Sequence, residues 1–144
     1  MGNHIFLVIV SAIFAASMVQ ATLDQSEYGS QIQAIKDNVH KICVSKSGTN
    51  EAAISNAANG IFTDEPTIKN YMKCILAEAK VMNEKGEFNV DAITQLLPEN
   101  LREEGLTVIK GCIAEFTDIP NVDNKVFAFF KCYHKRNPNV YIFI

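Results

Sequence analysis

The sequence predicts an all-α fold: a compact, disulfide-linked bundle of about six helices enclosing an apolar cavity, with an apolar C-terminal tail. Three observations carry this expectation. Apolar residues recur three and four apart through most of the chain, the spacing that gathers them on one face of a helix. Four cysteines, Cys43, Cys74, Cys112 and Cys132, fall inside those helical segments, behind an N-terminal run with the features of an export leader. The chain finishes in Val140-Tyr141-Ile142-Phe143-Ile144, an apolar run that would be an aggregation hazard if left exposed.

The leader sets the compartment. Ile5 to Val19 read IFLVIVSAIFAASMV, and Val19-Gln20-Ala21 places small or short residues where a signal peptidase cut after Ala21 needs them. A spanning helix needs about 20 apolar residues; this run is shorter and leads straight into polar Thr22-Leu23-Asp24-Gln25. Residues 1–21 are therefore expected to be a secretory signal peptide, and residues 22–144 a single helical domain in a secreted, extracellular protein. No Lys, Arg, Asp or Glu precedes residue 22, so the mature chain keeps the formal net charge of −3. That mild acidity argues against nucleic acid, whose phosphates call for a basic face. No later segment has the length of a membrane span.

The elements follow in order. Glu27 to Val44 carries Ile32, Ile35, Val39, Ile42 and Cys43 as a helical stripe. Ser47-Gly48-Thr49-Asn50 reads as a stop and a new cap, with Glu51 to Ala58 a short second helix ended by Asn59-Gly60. Asp64-Glu65-Pro66 starts the third: acidic side chains face the positive end of the dipole, and proline is tolerated in the first turn. Its apolar side holds Ile68, Met72, Ile75, Leu76, Ala79 and Met82, with Lys69, Lys73, Glu78 and Lys80 on the wetter side. Lys85-Gly86-Glu87 turns the chain, and Asn89 caps a fourth helix that stops at Pro98.

Leu101 to Phe116 forms the fifth helix, with Ile109, Cys112, Ile113 and Phe116 on its stripe. Gly105 and Gly111 weaken it by about 1 kcal/mol each relative to alanine, which points to close packing or a bend. After Asp118-Ile119-Pro120-Asn121, the segment Val122 to Tyr133 is too apolar for a surface helix, and Asn137-Pro138-Asn139 ends it. The tail beyond either folds back to close a space or is simply buried as a strand or plug; the pattern leaves both open.

Four cysteines allow three pairings, and spacing alone does not choose among them. None sits in a C-x-x-C arrangement, so zinc is a poor explanation. The leader, the six helical segments, the Asp-Glu-Pro start and the apolar tail together resemble the insect odorant-binding proteins of the pheromone-binding and general odorant-binding family, in its four-cysteine or minus-C subgroup. Six-cysteine members carry Cys-x3-Cys in the third helix and Cys-x8-Cys in the last. Here those segments run Asn70-Tyr71-Met72-Lys73-Cys74 and from Asp123 to Cys132, so Asn70 and Asp123 replace two family cysteines. In the family those two bond each other, so one whole bridge is deleted and no thiol is stranded.

The resemblance implies bridges Cys43–Cys74 and Cys112–Cys132. It also implies a cavity between helix one and helices three to six, with the tail as one wall. The ligand-binding candidates are Met72, Ile75, Leu76, Ile109, Ile113, Phe116, Phe127, Phe130, Tyr141 and Phe143. Tyr141 is the candidate for one hydrogen bond that orients an alcohol, ester or carbonyl guest; its alternative is a partly exposed tail tyrosine. Without the third bridge, helices three and six lose a covalent tie, and the shell is expected to breathe more than in six-cysteine relatives.

Catalysis finds little support. His40 and His134 are the histidines of the mature chain, each read as lying in a polar, helix-end context, and Cys132-Tyr133-His134 has no further metal ligand nearby. No Gly-x-Ser-x-Gly elbow, Gly-rich phosphate loop or His-Glu-x-x-His occurs. The chain is accordingly read as no enzyme, with no catalytic residue, metal or cofactor. The expected function is a secreted carrier that reversibly binds small hydrophobic ligands, odorants or pheromones, and delivers them through aqueous fluid to an odorant receptor, as a monomer or weak homodimer. Release through the two histidines under mild acid is an open expectation. The alternatives are a non-olfactory extracellular carrier of lipophilic metabolites, and a secreted helical effector acting through its surface.

Overall fold

Six α-helices take up the six apolar stripes in a computed structural model that describes residues 22–144: α1 Ser30–Ser47, α2 Glu51–Ala58, α3 Pro66–Glu78, α4 Val90–Leu96, α5 Arg102–Glu115 and α6 Val122–Arg136. The expected signal peptide, residues 1–21, lies outside the described residues. Local chemistry sets the helix ends. The side chains of Asn50, Asn89 and Asn121 accept hydrogen bonds from the backbone N–H groups of Ala53, Ala92 and Asn124 at 2.9, 3.0 and 2.9 Å, satisfying donors that the first turn leaves without partners. Gly48 ends α1 in the left-handed conformation (φ 71°), a backbone state that glycine adopts without a Cβ penalty.

Several boundaries differ from the sequence expectation: α1 runs on past Val44 to Ser47, and α3 stops at Glu78, so Ala79 and Met82 lie beyond it. The first helix begins at Ser30, because residues Gln25–Glu27 close a separate 3₁₀ turn held by a reciprocal cap between Asp24 and Glu27. Tyr28 then crosses in extended backbone and is buried. The last helix runs on to Arg136, where His134, Lys135 and Arg136 sit at the negative end of its dipole.

The disulfides join Cys43 to Cys74 and Cys112 to Cys132, tying α1 to α3 and α5 to α6, with Cα separations of 5.6 and 5.8 Å. Their sequence separations of 31 and 20 make each worth about 3–4 kcal/mol on the chain-entropy account. No described cysteine is free. α3 runs through the middle of the bundle, packed between α1 and α6, with Ile68, Tyr71, Met72 and Ile75 buried. The two glycines of α5 mark close approaches. Gly105 lies beneath the Leu97 side chain, and Gly111 beneath the Arg136 guanidinium, which pairs with Glu115 at 2.8 Å.

The tail folds inward: Val140, Tyr141 and Phe143 are almost wholly buried. Four tyrosines fasten it. Tyr133 Oη donates to the Val140 carbonyl (2.5 Å), and Tyr141 Oη donates to the Ala57 carbonyl on α2 (3.1 Å). Tyr28 Oη both donates to the Phe143 carbonyl and accepts from the Phe143 N–H, each at 3.1 Å, while Tyr71 Oη donates to the Ile144 backbone oxygen (2.6 Å). Burial pushes all four hydroxyl pKa values above the ordinary tyrosine value, so each remains a neutral hydrogen-bond donor. Among the described residues, no helix is long and apolar enough to cross a membrane.

Candidate ligand-binding cavity

The apolar stripes converge on an apolar pocket of about 100 Å³. α1 contributes Ile32 and Ile35, and α3 contributes Ile75 and Leu76, adjacent residues at the seam it forms with its neighbours. Ile93 and Leu96 of α4 and Ile109 of α5 form the facing wall. Phe129, Phe130 and Tyr133 enter from α6, and Ile142 and Ile144 of the tail complete the lining. The aromatic side is a packed cluster: the Phe88 and Phe129 rings lie 4.7 Å apart between centroids, Phe129 and Phe130 5.4 Å, and Phe129 and Tyr133 5.8 Å. Tyr133 carries the one polar side-chain group of this lining, and its hydroxyl is already bonded to Val140.

A larger concavity of about 540 Å³ lies on the other side of the tail, between residues 22–28, α1 and α2. Its walls are mixed. Lys36 pairs with Asp37 at 2.9 Å, and His40 bridges the Glu51 carboxylate (2.9 Å) and the Tyr71 hydroxyl (2.8 Å). An apolar guest gains most against an apolar wall free of charged groups, so the smaller space is the candidate site. Ile144 borders both spaces and forms part of the partition between them.

Of the residues singled out from the sequence, Ile75, Leu76, Ile109 and Phe130 stand together on the cavity wall. Met72 is fully buried and packs behind it. Phe127 is buried off the wall, edge-on to Phe62 and beneath two ammonium groups, with Lys69 Nζ 5.0 Å and Lys131 Nζ 4.7 Å from its ring. Ile113 and Phe116, at the end of α5, are half-buried and off the wall. Phe143 is packed between Phe130 (5.2 Å) and Tyr71 (6.0 Å) and borders the polar concavity instead. Tyr141 is not an exposed tail tyrosine: it is fully buried, off the wall, with its hydroxyl committed to Ala57.

Each histidine meets its sequence context in one respect: His40 is polar in its contacts but not at a helix end, and His134 is in the last turn of α6 but packs against aromatic rings. His40 is in the body of α1, bonded on both ring nitrogens. His134 lies over Gly60 and meets Phe62 and Tyr141 edge-on, with centroids 6.2 and 4.9 Å away. Burial lowers its pKa below the ordinary 6.5. Val81 and Phe88 reach the wall without any helical periodicity to announce them. Lys80 takes a left-handed backbone (φ 63°), and the turn around Gly86 pairs Met82 with Phe88, which together bring both side chains back to the bundle.

Comparison with known proteins agrees with this architecture. The Tenebrio molitor B2 protein is 30% identical over 101 residues, covering 69% of this chain and 77% of that protein. A Locusta migratoria odorant binding protein superposes with a TM-score of 0.71 at 23% identity, covering 80% of this chain and 88% of that one. Odorant Binding Protein 7 from Anopheles gambiae, solved with four disulfide bridges and in complex with an azo compound, gives 0.64 at 17% identity, covering 76% and 88%. Residues 25–136, most of the chain, match the PBP/GOBP family, and with its six helices and its two disulfides of the minus-C type the chain belongs to that family.

Proposed function

We propose that the protein is a secreted carrier that takes up small hydrophobic molecules of the odorant or pheromone kind into the cavity between α1, α3, α4, α5, α6 and the tail, and carries them through aqueous fluid to a receptor. The observation that carries this reading is a cavity wall built from apolar side chains, with its one hydroxyl already donating to Val140. Such a space is unfavourable for water and favours a guest held by burial, at about 25 cal/mol per Å² of apolar surface before entropic costs. Family membership supports the same reading, as does the azo compound bound by the Anopheles relative. Pairing of all four cysteines suits an oxidising, extracellular compartment. An effector working through its surface would present an apolar patch, whereas among the described residues Ile61 is the one large apolar side chain left exposed. Titration with an apolar fluorescent probe tests the proposal: displaceable uptake at one probe per chain supports it, and absence of uptake contradicts it.

A further inference from the structure

Building on the carrier reading, we infer that the cavity selects compact hydrocarbon guests and rejects the hydroxylated analogue of the same skeleton. Hydrogen-bond accounting carries the inference. A hydroxyl that leaves water needs a partner inside, or the guest loses the hydration of that group without return. The backbone groups of Ile35, Ile75, Ile109, Phe129 and Phe130 lie within helices and are engaged there, whereas the Ile32 N–H in the first turn of α1 and the Leu96 carbonyl in the last turn of α4 have no partner within their helices. Tyr133 Oη donates to Val140 at 2.5 Å, and the Ile144 backbone oxygen accepts from Tyr71 at 2.6 Å. Tyr28 and Tyr141, the remaining buried hydroxyls of the tail, are off the wall and equally committed. His40, Glu51, Lys36 and Asp37 lie across the partition, in the polar concavity. The wall side chains thus offer a guest hydroxyl no free donor, and as acceptor only the oxygen of Tyr133, whose proton is committed to Val140.

Size narrows the class further. A space of about 100 Å³ is below the roughly 300 Å³ at which drug-sized pockets begin, and nearer the roughly 150 Å³ cavity that admits benzene. The cluster of Phe88, Phe129 and Phe130 offers ring edges and faces to a single small ring.

The test is competitive displacement of the apolar probe from the mature chain by toluene and by benzyl alcohol, which share one carbon skeleton. Toluene is expected to displace it at one per chain with an affinity roughly tenfold or more above that of benzyl alcohol. Benzyl alcohol binding as tightly as toluene, or more tightly, with one-to-one displacement by both, overturns the inference and leaves the carrier reading standing. Displacement by neither overturns the carrier reading and this inference with it.

Discussion

Asp123 at the start of α6 pairs with Lys73 on α3 at 2.5 Å, at a position where six-cysteine relatives carry half of a disulfide. Beside it, Lys69 Nζ bonds Asn124 Oδ1 at 3.0 Å. The covalent tie between α3 and α6 is thus replaced by a polar one. The Lys73 and Asp123 side chains are 41% and 35% exposed, so the pair is worth at most about 1 kcal/mol. That is well short of the 3–4 kcal/mol that a bridge closing a loop of this kind supplies.

Restoring the bridge with Asn70→Cys and Asp123→Cys is therefore expected to stabilise the oxidised protein by about 4 kcal/mol on the chain-entropy account, read as a higher urea midpoint. Asp123→Asn alone should cost less than about 1 kcal/mol.

The tail should loosen when its tyrosine hydroxyls are removed. Tyr28→Phe leaves the N–H and the carbonyl of Phe143 without their partner at a buried site, whereas the two groups that Tyr71→Phe strands, the Ile144 backbone oxygen and the His40 ring nitrogen, are part-buried. Tyr28→Phe is expected to cost about 1–3 kcal/mol of stability and Tyr71→Phe less, with faster probe release from both. Urea unfolding and stopped-flow dissociation check the order.

Gly60 and Gly48 share a left-handed backbone and differ in surroundings. A Cβ at Gly48 meets nothing within 4 Å, while one at Gly60 runs into the His134 ring. Gly48→Ala should cost about 1–2 kcal/mol through its backbone alone. Gly60→Ala should cost distinctly more, in the same denaturation assay, because the ring has to move as well.

His134 makes stability fall in acid. Burial lowers its folded-state pKa below 6.5, so the folded protein holds fewer protons than the unfolded chain once the pH drops toward that value. Its contribution is complete above about pH 6.5 and is lost as the pH falls through the lower, folded-state pKa. The urea midpoint is expected to be lower at pH 5 than at pH 7.5, and His134→Gln should flatten that difference.

The helices were legible because their signals are local. Asn50, Asn89 and Asn121 cap as their positions suggest, and Ile75, Leu76 and Ile109 reach the cavity because a buried stripe has to face something. What escaped depends on distant partners. The role of Tyr141 rests on a carbonyl 84 residues away, and Phe88 is brought in by a turn rather than by a helix. Phe127 lies on the same apolar helix as Phe130, yet no periodicity reveals that Lys69 and Lys131 cover its ring.

Methyl NMR of the mature chain titrated with toluene probes the interior site most directly. The account predicts saturation at one guest per chain, with intermolecular contacts to the methyl groups of Ile75, Leu76 and Ile142. Contacts confined to Ile54 in the outer concavity, or shifts that never saturate, would contradict it.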